Sequence, residues 1–164
     1  MGCLLKKETI VDVSNQLRAN GKKVILTHGA FDLFHIGHAE LLKRSKKMGD
    51  YLIVGVDTDN RIKEYKKVTR PVIPLEQRTE ILLENKSIDF VFYIKDEEPI
   101  NDPSFMELYA LMFPNIVTCG FSFPFLNDFK SRSKYLRGID AIPISHQYDN
   151  FQSTTKIIDK IRQY

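Results

Sequence analysis

His35 and His38 stand three residues apart, with Gly37 between them, in "DLFHIGHAEL" at residues 32–41. An apolar run precedes this stretch and a stretch with helical spacing follows it. On a helical turn, side chains three apart face the same way. Two imidazoles so placed, beside the N–H groups that a helix start leaves unpaired, can stabilise negative charge developing on a phosphorus centre under attack. Gly37 removes the Cβ that would block a group approaching the backbone. A lone histidine is more often a core or surface residue, whereas this pair with its glycine at a strand–helix junction points to phosphate chemistry.

Two further stretches carry groups suited to phosphate. "NFQSTTKIIDKI", from Asn150, puts Ser153, Thr154 and Thr155 where a helix begins, offering hydroxyls and free N–H groups, with Lys156 adding charge. The same residues would serve equally as a plain N-cap. "RIKEYKKVTRPVIPLEQR", at 61–78, contains Lys63, Lys66, Arg70 and Arg78, which could surround a triphosphate as point charges and a bidentate fork. Charge runs are also the ordinary make-up of a solvated face.

The elements that must position these groups alternate along the chain. Residues 23–27 (KVILT), 51–56 (YLIVGV), 90–94 (FVFYI), 116–119 (IVTC) and 141–144 (AIPI) read as strands buried on both faces. Helical spacing of apolar residues marks 9–19, 39–48 closed by Gly49, 75–85 after Pro74, 103–112 and 153–163. Residues 121–137 are the least regular and read as loop or short helix. Alternation of this kind predicts an α/β fold, a Rossmann-like doubly wound parallel sheet, with ligands at the carboxyl ends of the strands. Residues 27–38 lie at one such end.

With 164 residues, 43% of them hydrophobic, the chain is the size of one domain with a real core. We therefore expect a single domain over 1–164, with 1–21 as an N-terminal helical extension. The net charge of +3 is mild and its cations are interspersed with acidic residues, so charge does not suggest nucleic acid and leaves anionic small molecules open. Cys3 and Cys119 have no CxxC spacing, which argues against a disulfide framework or a zinc site and fits a cytoplasmic, reducing setting. No apolar stretch is long enough to span a membrane, and the N-terminal residues have no apolar signal core. Met1-Gly2-Cys3 is faintly similar to a lipidation signal, but Lys6 stands where Ser or Thr is expected.

These residues resemble the cytidylyltransferase-like nucleotidyltransferases over nearly the whole chain. "GKKVILTHGAFDLFHIGHAELLKRSKKMGDYLIVGVDTD" is similar to the family's first strand, HxGH loop, helix and second strand. "RPVIPLEQR" and "STTKIIDKI" resemble especially the adenylyltransferase domain that makes ADP-heptose from heptose 1-phosphate. The glycerol-3-phosphate cytidylyltransferases share HxGH and the STT helix and match less well between Arg70 and Arg78. Aminoacyl-tRNA synthetases use a related HIGH loop but are far longer, and their lysine-serine motif has only a scrambled counterpart in "KSRSK" at 130–134.

The resemblance implies the HxGH nucleotidyltransferase fold and a catalytic set of His35, His38, Lys66 and Arg78. The two histidines would contact the nucleotide phosphates in the transition state. Thr27, Gly29, Ala30, Phe31, Gly37, Lys63, Ser153 and Thr154 would form the nucleotide site, and Asp32 would hold its loop. A phosphate oxygen of the substrate would attack the α-phosphorus of a nucleoside triphosphate and release pyrophosphate, with Mg²⁺ offsetting charge and no covalent enzyme intermediate. Catalysis would then be mainly positioning and electrostatics. ATP with a sugar phosphate such as heptose 1-phosphate is the favoured pair, and CTP with glycerol 3-phosphate or another polyol phosphate the alternative. Neither nucleic acid nor membrane is an expected partner, and a homodimer is one state the resemblance allows.

Two departures from the family pattern bear on the substrates. The heptose enzymes carry a "KGGDY"-like stretch where this chain has "TCGFSFPF" at 118–125. Their acidic residue and glycine before STT are replaced by Tyr148-Asp149-Asn150-Phe151-Gln152. Phe121, Phe123, Phe125 and Phe151 either wall the acceptor or base, or belong to the core. A nucleotide-binding module weakened in catalysis and acting through a partner is therefore the alternative of a different class.

Overall fold

The computed structural model describes residues 1–66, 69–94, 103–120, 140–144 and 153–164. Strand β1 (Cys3–Leu4) and helix α1 (Lys7–Ala19) open the chain. Then follow β2 (Val24–Gly29), α2 (Ile36–Lys46), β3 (Tyr51–Asp57), α3 (Asp59–Tyr65), α4 (Leu75–Leu83) and β4 (Phe90–Ile94). Helix α5 (Pro103–Met112), β5 (Ile116–Gly120), β6 (Asp140–Ile144) and α6 (Thr154–Ile161) complete the described elements.

The strands form one six-stranded sheet in the order β1-β4-β3-β2-β5-β6, every pair parallel. Parallel strands need crossovers, and the helices that supply them cover both faces. Alternation along β2 shows why both faces are apolar. Val24 and Leu26 point into one core with Ile10 of α1 and Leu108 and Met112 of α5, while Ile25 points into the other with Leu42 of α2 and Leu82 of α4. The chain winds outward from β2 through β3 and β4, then returns to place β5 on the other side of β2. The topological switch point of this doubly wound sheet therefore lies between β2 and β5, where a ligand crevice is expected.

Three features differ from the sequence reading. Residues 1–21 were expected as an appended helix, yet β1 pairs with β4, and Ile10 of α1 is fully buried in the core. Two residues are too few for a recognisable alternation, so β1 carries no sequence signal. Residues 59–65 form α3 inside the charge run. Helix α2 begins at Ile36 and not at 39, which puts both Gly37 and His38 on its first turn. Gly49 closes the α2 turn as expected: a Cβ there would lie 2.7 Å from the Lys23 carbonyl oxygen, which being backbone cannot give way.

Candidate functional site

The loop between β2 and α2 leaves the sheet at its switch point and carries the histidines. Phe31 and Leu33 hold φ angles of 49° and 44°, the left-handed region that non-glycine residues seldom occupy. Such strain persists where the surroundings over-determine it, and it clusters at ligand clamps. The surroundings here are Asp32, 1% exposed, between those two residues. Its carboxylate accepts from Arg70 Nε at 2.7 Å, from Val72 N at 3.0 Å and from Ile73 N at 2.9 Å. Burial alone would raise the Asp32 pKa; the Val72 and Ile73 hydrogen bonds and the Arg70 charge outweigh it and hold the group below the ordinary carboxylate value. Thr154 Oγ1 donates to the Asp32 carbonyl at 2.7 Å, so α6 is fastened to the same residue.

His35 caps α2. Its Nδ1 accepts from Gly37 N at 3.1 Å, which places the imidazole proton of the neutral ring on Nε2 and makes that atom a donor. The His35 and His38 rings stack with centroids 3.8 Å apart and planes 22° from parallel. Phe31 and Phe34 pack against His38 at centroid distances of 5.3 and 5.6 Å, so its ring is boxed by aromatic groups on three sides. The two imidazoles thus share one position at the positive end of α2.

The remaining expected residues divide into two kinds. Lys63 and Lys66 are exposed on and just beyond α3, and Ser153 sits at the start of α6, where its Oγ accepts from Lys156 N at 3.2 Å and keeps its own proton to donate. The Lys66 pKa is lowered, first by desolvation and then by the neighbouring Arg70 charge. These groups can meet a ligand. Gly29 and Ala30 contribute backbone to the loop, and a Cβ at Gly29 would make only an ordinary 3.8 Å contact with the Phe31 ring.

Thr27, Thr154 and Arg78, also expected at the site, direct their polar groups to acceptors within the protein. The Thr27 hydroxyl is fully buried and donates to the Thr118 carbonyl at 3.0 Å, tying β2 to β5. Thr154 spends its hydroxyl on Asp32, as above. Arg78, expected as a phosphate contact, is 1% exposed and donates to four acceptors of the protein itself. Its Nε reaches the Ile73 carbonyl at 2.9 Å, Nη1 the Ala30 carbonyl, and Nη2 both the Asp57 carbonyl at 2.9 Å and Asp59 Oδ1 at 2.6 Å. A guanidinium has five N–H groups, so little is left for a ligand. Arg78 is a positioning residue that clamps the HxGH loop to α3 and α4.

Sequence reasoning passed over a polar group beneath that clamp. Asp57 Oδ1 accepts from Arg61 Nε at 2.9 Å and Oδ2 from the Tyr65 hydroxyl at 2.7 Å, with Arg61 1% exposed. The i,i+4 spacing of Asp57 and Arg61 was the available signal. Burial, then Asp57, raises the Tyr65 pKa. His28 lies nearby at the end of β2, against Tyr109 at 5.9 Å between ring centroids. Burial pushes its pKa down to about 4, with Asp57 opposing and Arg61 adding to the shift, so it is neutral at pH 7.

Cys3 is exposed and Cys119 partly buried, both as free thiols; burial pushes Cys119 up to about 11, as for an inert thiol. Thr118 hydrogen-bonds Ser45 through their hydroxyls at 2.7 Å. Phe121, Phe123, Phe125 and Phe151, with the altered stretch at 148–152 and the 130–134 segment, lie outside the described residues. Among the described residues, no helix is long and apolar enough to cross a membrane and no group of three His, Cys, Asp or Glu residues could hold a metal ion.

Comparison with known proteins gives this geometry a family context. A model of the cytidylyltransferase-like family matches residues 26–160. The chain is 32% identical over 146 residues to the bifunctional protein HldE of Histophilus somni (strain 129Pt), covering 89% of this chain and 29% of that protein. HldE of Enterobacter sp. (strain 638) is 34% identical over 146 residues, with the same coverage of 89% and 29%. The chain thus spans less than a third of the length of these curated relatives. Among solved structures, the lipopolysaccharide core biosynthesis protein from Thermoplasma volcanium GSS1 superposes with a TM-score of 0.64 at 27% identity, over 79% of this chain and 100% of that one. Pantoate-beta-alanine ligase from Francisella tularensis, solved with beta-gamma ATP and beta-alanine, superposes at 0.69 over 100% of this chain and 79% of that one; at 17% identity the likeness is one of fold alone.

Proposed function

The chain belongs to the cytidylyltransferase-like family, and from that premise we propose that it is a nucleotidyltransferase that activates a sugar phosphate with a nucleoside triphosphate, ATP being favoured. The observation that carries this reading is the stacked His35–His38 pair on the first turn of α2, at the sheet's switch point. In the proposed reaction, a phosphate oxygen of the acceptor forms a bond to the α-phosphorus while the bond to the pyrophosphate oxygen breaks. Pyrophosphate leaves with the bonding electron pair. Negative charge grows on the non-bridging and leaving oxygens, where the His35 Nε2 proton, the His38 ring and the positive end of α2 would oppose it. Ser153 and Lys66 are further donors for phosphate oxygens. Asp32, Arg78, Thr27 and Thr154 fix the loop, so that little reorganisation is left to the moment of reaction.

Mg²⁺ is proposed with the triphosphate. With no three-ligand cage among the described residues, the ion would be held mainly by phosphate oxygens and water, the usual habit of Mg²⁺ at nucleotide sites. It would supply charge neutralisation on the phosphates.

Heptose 1-phosphate is the favoured acceptor because "RPVIPLEQR" and "STTKIIDKI" resemble the heptose adenylyltransferase domain. An activated sugar as product is in keeping with the Thermoplasma relative's place in lipopolysaccharide core biosynthesis. The reading is tested by measuring pyrophosphate release from ATP and CTP against a panel of sugar and polyol phosphates. Release with ATP and an aldose 1-phosphate is expected. Release only with CTP and glycerol or ribitol phosphate would move the assignment to the cytidylyltransferase branch. Nucleotide binding without turnover on any acceptor would favour a binding module.

A further inference from the structure

Arg70 is a buried cation of this region that keeps a donor in hand. The residue is 7% exposed, its Nε is spent on Asp32, and its buried Nη2 has no hydrogen-bond partner among the described residues. A buried, charged N–H without an acceptor is a standing cost to the fold, and native structures supply one through protein, water or ligand. Asp32 is poorly placed to be that acceptor, since its two oxygens also receive Val72 N and Ile73 N. The guanidinium is therefore anchored at one edge and unmatched at another.

Its place gives the unmatched edge a meaning. Asp32 lies three residues before His35 on the same loop, and its carbonyl holds the first residue of α6 through Thr154. Arg70 is thus joined by a single residue to the starts of α2 and α6, each the positive end of its helix. Lys66 stands close enough for the Arg70 charge to depress its pKa, a repulsion that a bound anion would relieve. We propose that Arg70, held by Asp32 through Nε, gives its Nη2 to a phosphate oxygen of a bound substrate, and that this arginine, not Arg78, is the guanidinium phosphate donor of the 61–78 segment. The inference rests on the nucleotidyltransferase reading above. A triphosphate and an acceptor phosphate present the same oxygens, and kinetics separates them.

The test uses the full chain and the variant Arg70→Lys, which keeps a cation for Asp32 and loses the fork. Melting temperatures are read for each protein with and without ATP and inorganic pyrophosphate, each shift being taken against that protein's own unliganded value. We expect wild-type protein to be stabilised and Arg70→Lys to lose most of that shift, with KM raised tenfold or more for one substrate. A raised KM for the triphosphate assigns the contact to the nucleotide, and a raised KM for the sugar phosphate assigns it to the acceptor. Wild-type shifts and KM values in a folded Arg70→Lys protein would overturn the inference and leave the reaction standing.

A second measurement needs no variant. In ¹⁵N spectra of the wild-type guanidinium groups, the Arg70 signals should move on titration with pyrophosphate while those of Arg78 stay in place. An Arg70 signal unmoved at saturation would reduce Nη2 to a water-bonded structural donor. If wild-type protein binds neither ATP nor pyrophosphate, the nucleotidyltransferase reading falls first, and this inference with it.

Discussion

At the scale of single residues, the proposed reading separates groups that would act on phosphate from groups that hold those in place. On the proposed reading His38 belongs to the first kind, its ring boxed by Phe31, Phe34 and His35. His38→Ala should therefore lower kcat on the order of a hundredfold or more, the usual cost of removing one transition-state donor. The circular dichroism spectrum should be unchanged, and near-wild-type turnover would remove the histidine from the mechanism. His28 illustrates the second kind. Its folded pKa of about 4 lies below its ordinary 6.5, so between those values the unfolded chain binds a proton that the native chain does not. Stability contributed by neutral His28 is complete above pH 6.5 and is lost as pH falls toward 4. Asp57, Arg61 and Tyr109 face it and stay in place in His28→Asn, which should flatten the fall in urea midpoint across that window. Parallel pH curves for the two proteins would show that burial does not hold the ring neutral.

At the scale of elements, the sheet was legible because its strands are buried on both faces and so read as unbroken apolar runs: the expected strand at 90–94 matches β4 (Phe90–Ile94) and that at 116–119 falls within β5. Helix α3 was not legible. Its charged residues resemble a solvated run, and the i,i+4 spacing of Asp57 and Arg61 does not by itself tell an inward pair from a surface one. The contacts of Arg78 within the protein were not legible for a related reason. A sequence tells that an arginine is present but not that the carbonyls of Ala30, Ile73 and Asp57, three separate segments, converge on it. The HxGH turn was legible as a helix start because its pattern is local: cap, glycine and second histidine fall within one turn of α2. That locality makes a clean test. Gly37 is the second residue of α2, where alanine should favour the helix by roughly 0.5–1 kcal/mol. Gly37→Ala should thus melt at or above the wild-type temperature while losing about tenfold or more in kcat/KM, about 1.4 kcal/mol of transition-state binding. Unchanged kinetics would mean that no phosphate approaches the backbone there.

At the scale of the whole molecule, the candidate ligand site is assembled from parts distant in sequence, with the loop after β2, Arg70, Val72, Ile73 and the start of α6 meeting at Asp32. A ligand that bridges these parts binds the folded chain and not the unfolded one, so it should raise stability by mass action. At about a hundred times its Kd the gain is about 2.7 kcal/mol, which for a domain of this length shifts the melting temperature by several degrees. ATP with Mg²⁺ should give a larger shift than CTP with Mg²⁺, because the 70–78 and 153–161 stretches side with the adenylyltransferase branch. Those same stretches supply Arg70, Val72, Ile73 and Thr154 to Asp32, so the branch likeness falls on residues that build the site and not on remote surface. A larger shift with CTP would transfer the assignment to the cytidylyltransferase branch and a polyol phosphate acceptor, while leaving the histidine chemistry and the Asp32 hub intact. Folded protein that shifts with neither nucleotide would count against the phosphate site as a whole, since the stacked histidines, the α6 start and Arg70 would then lack the anion that gives their convergence a purpose.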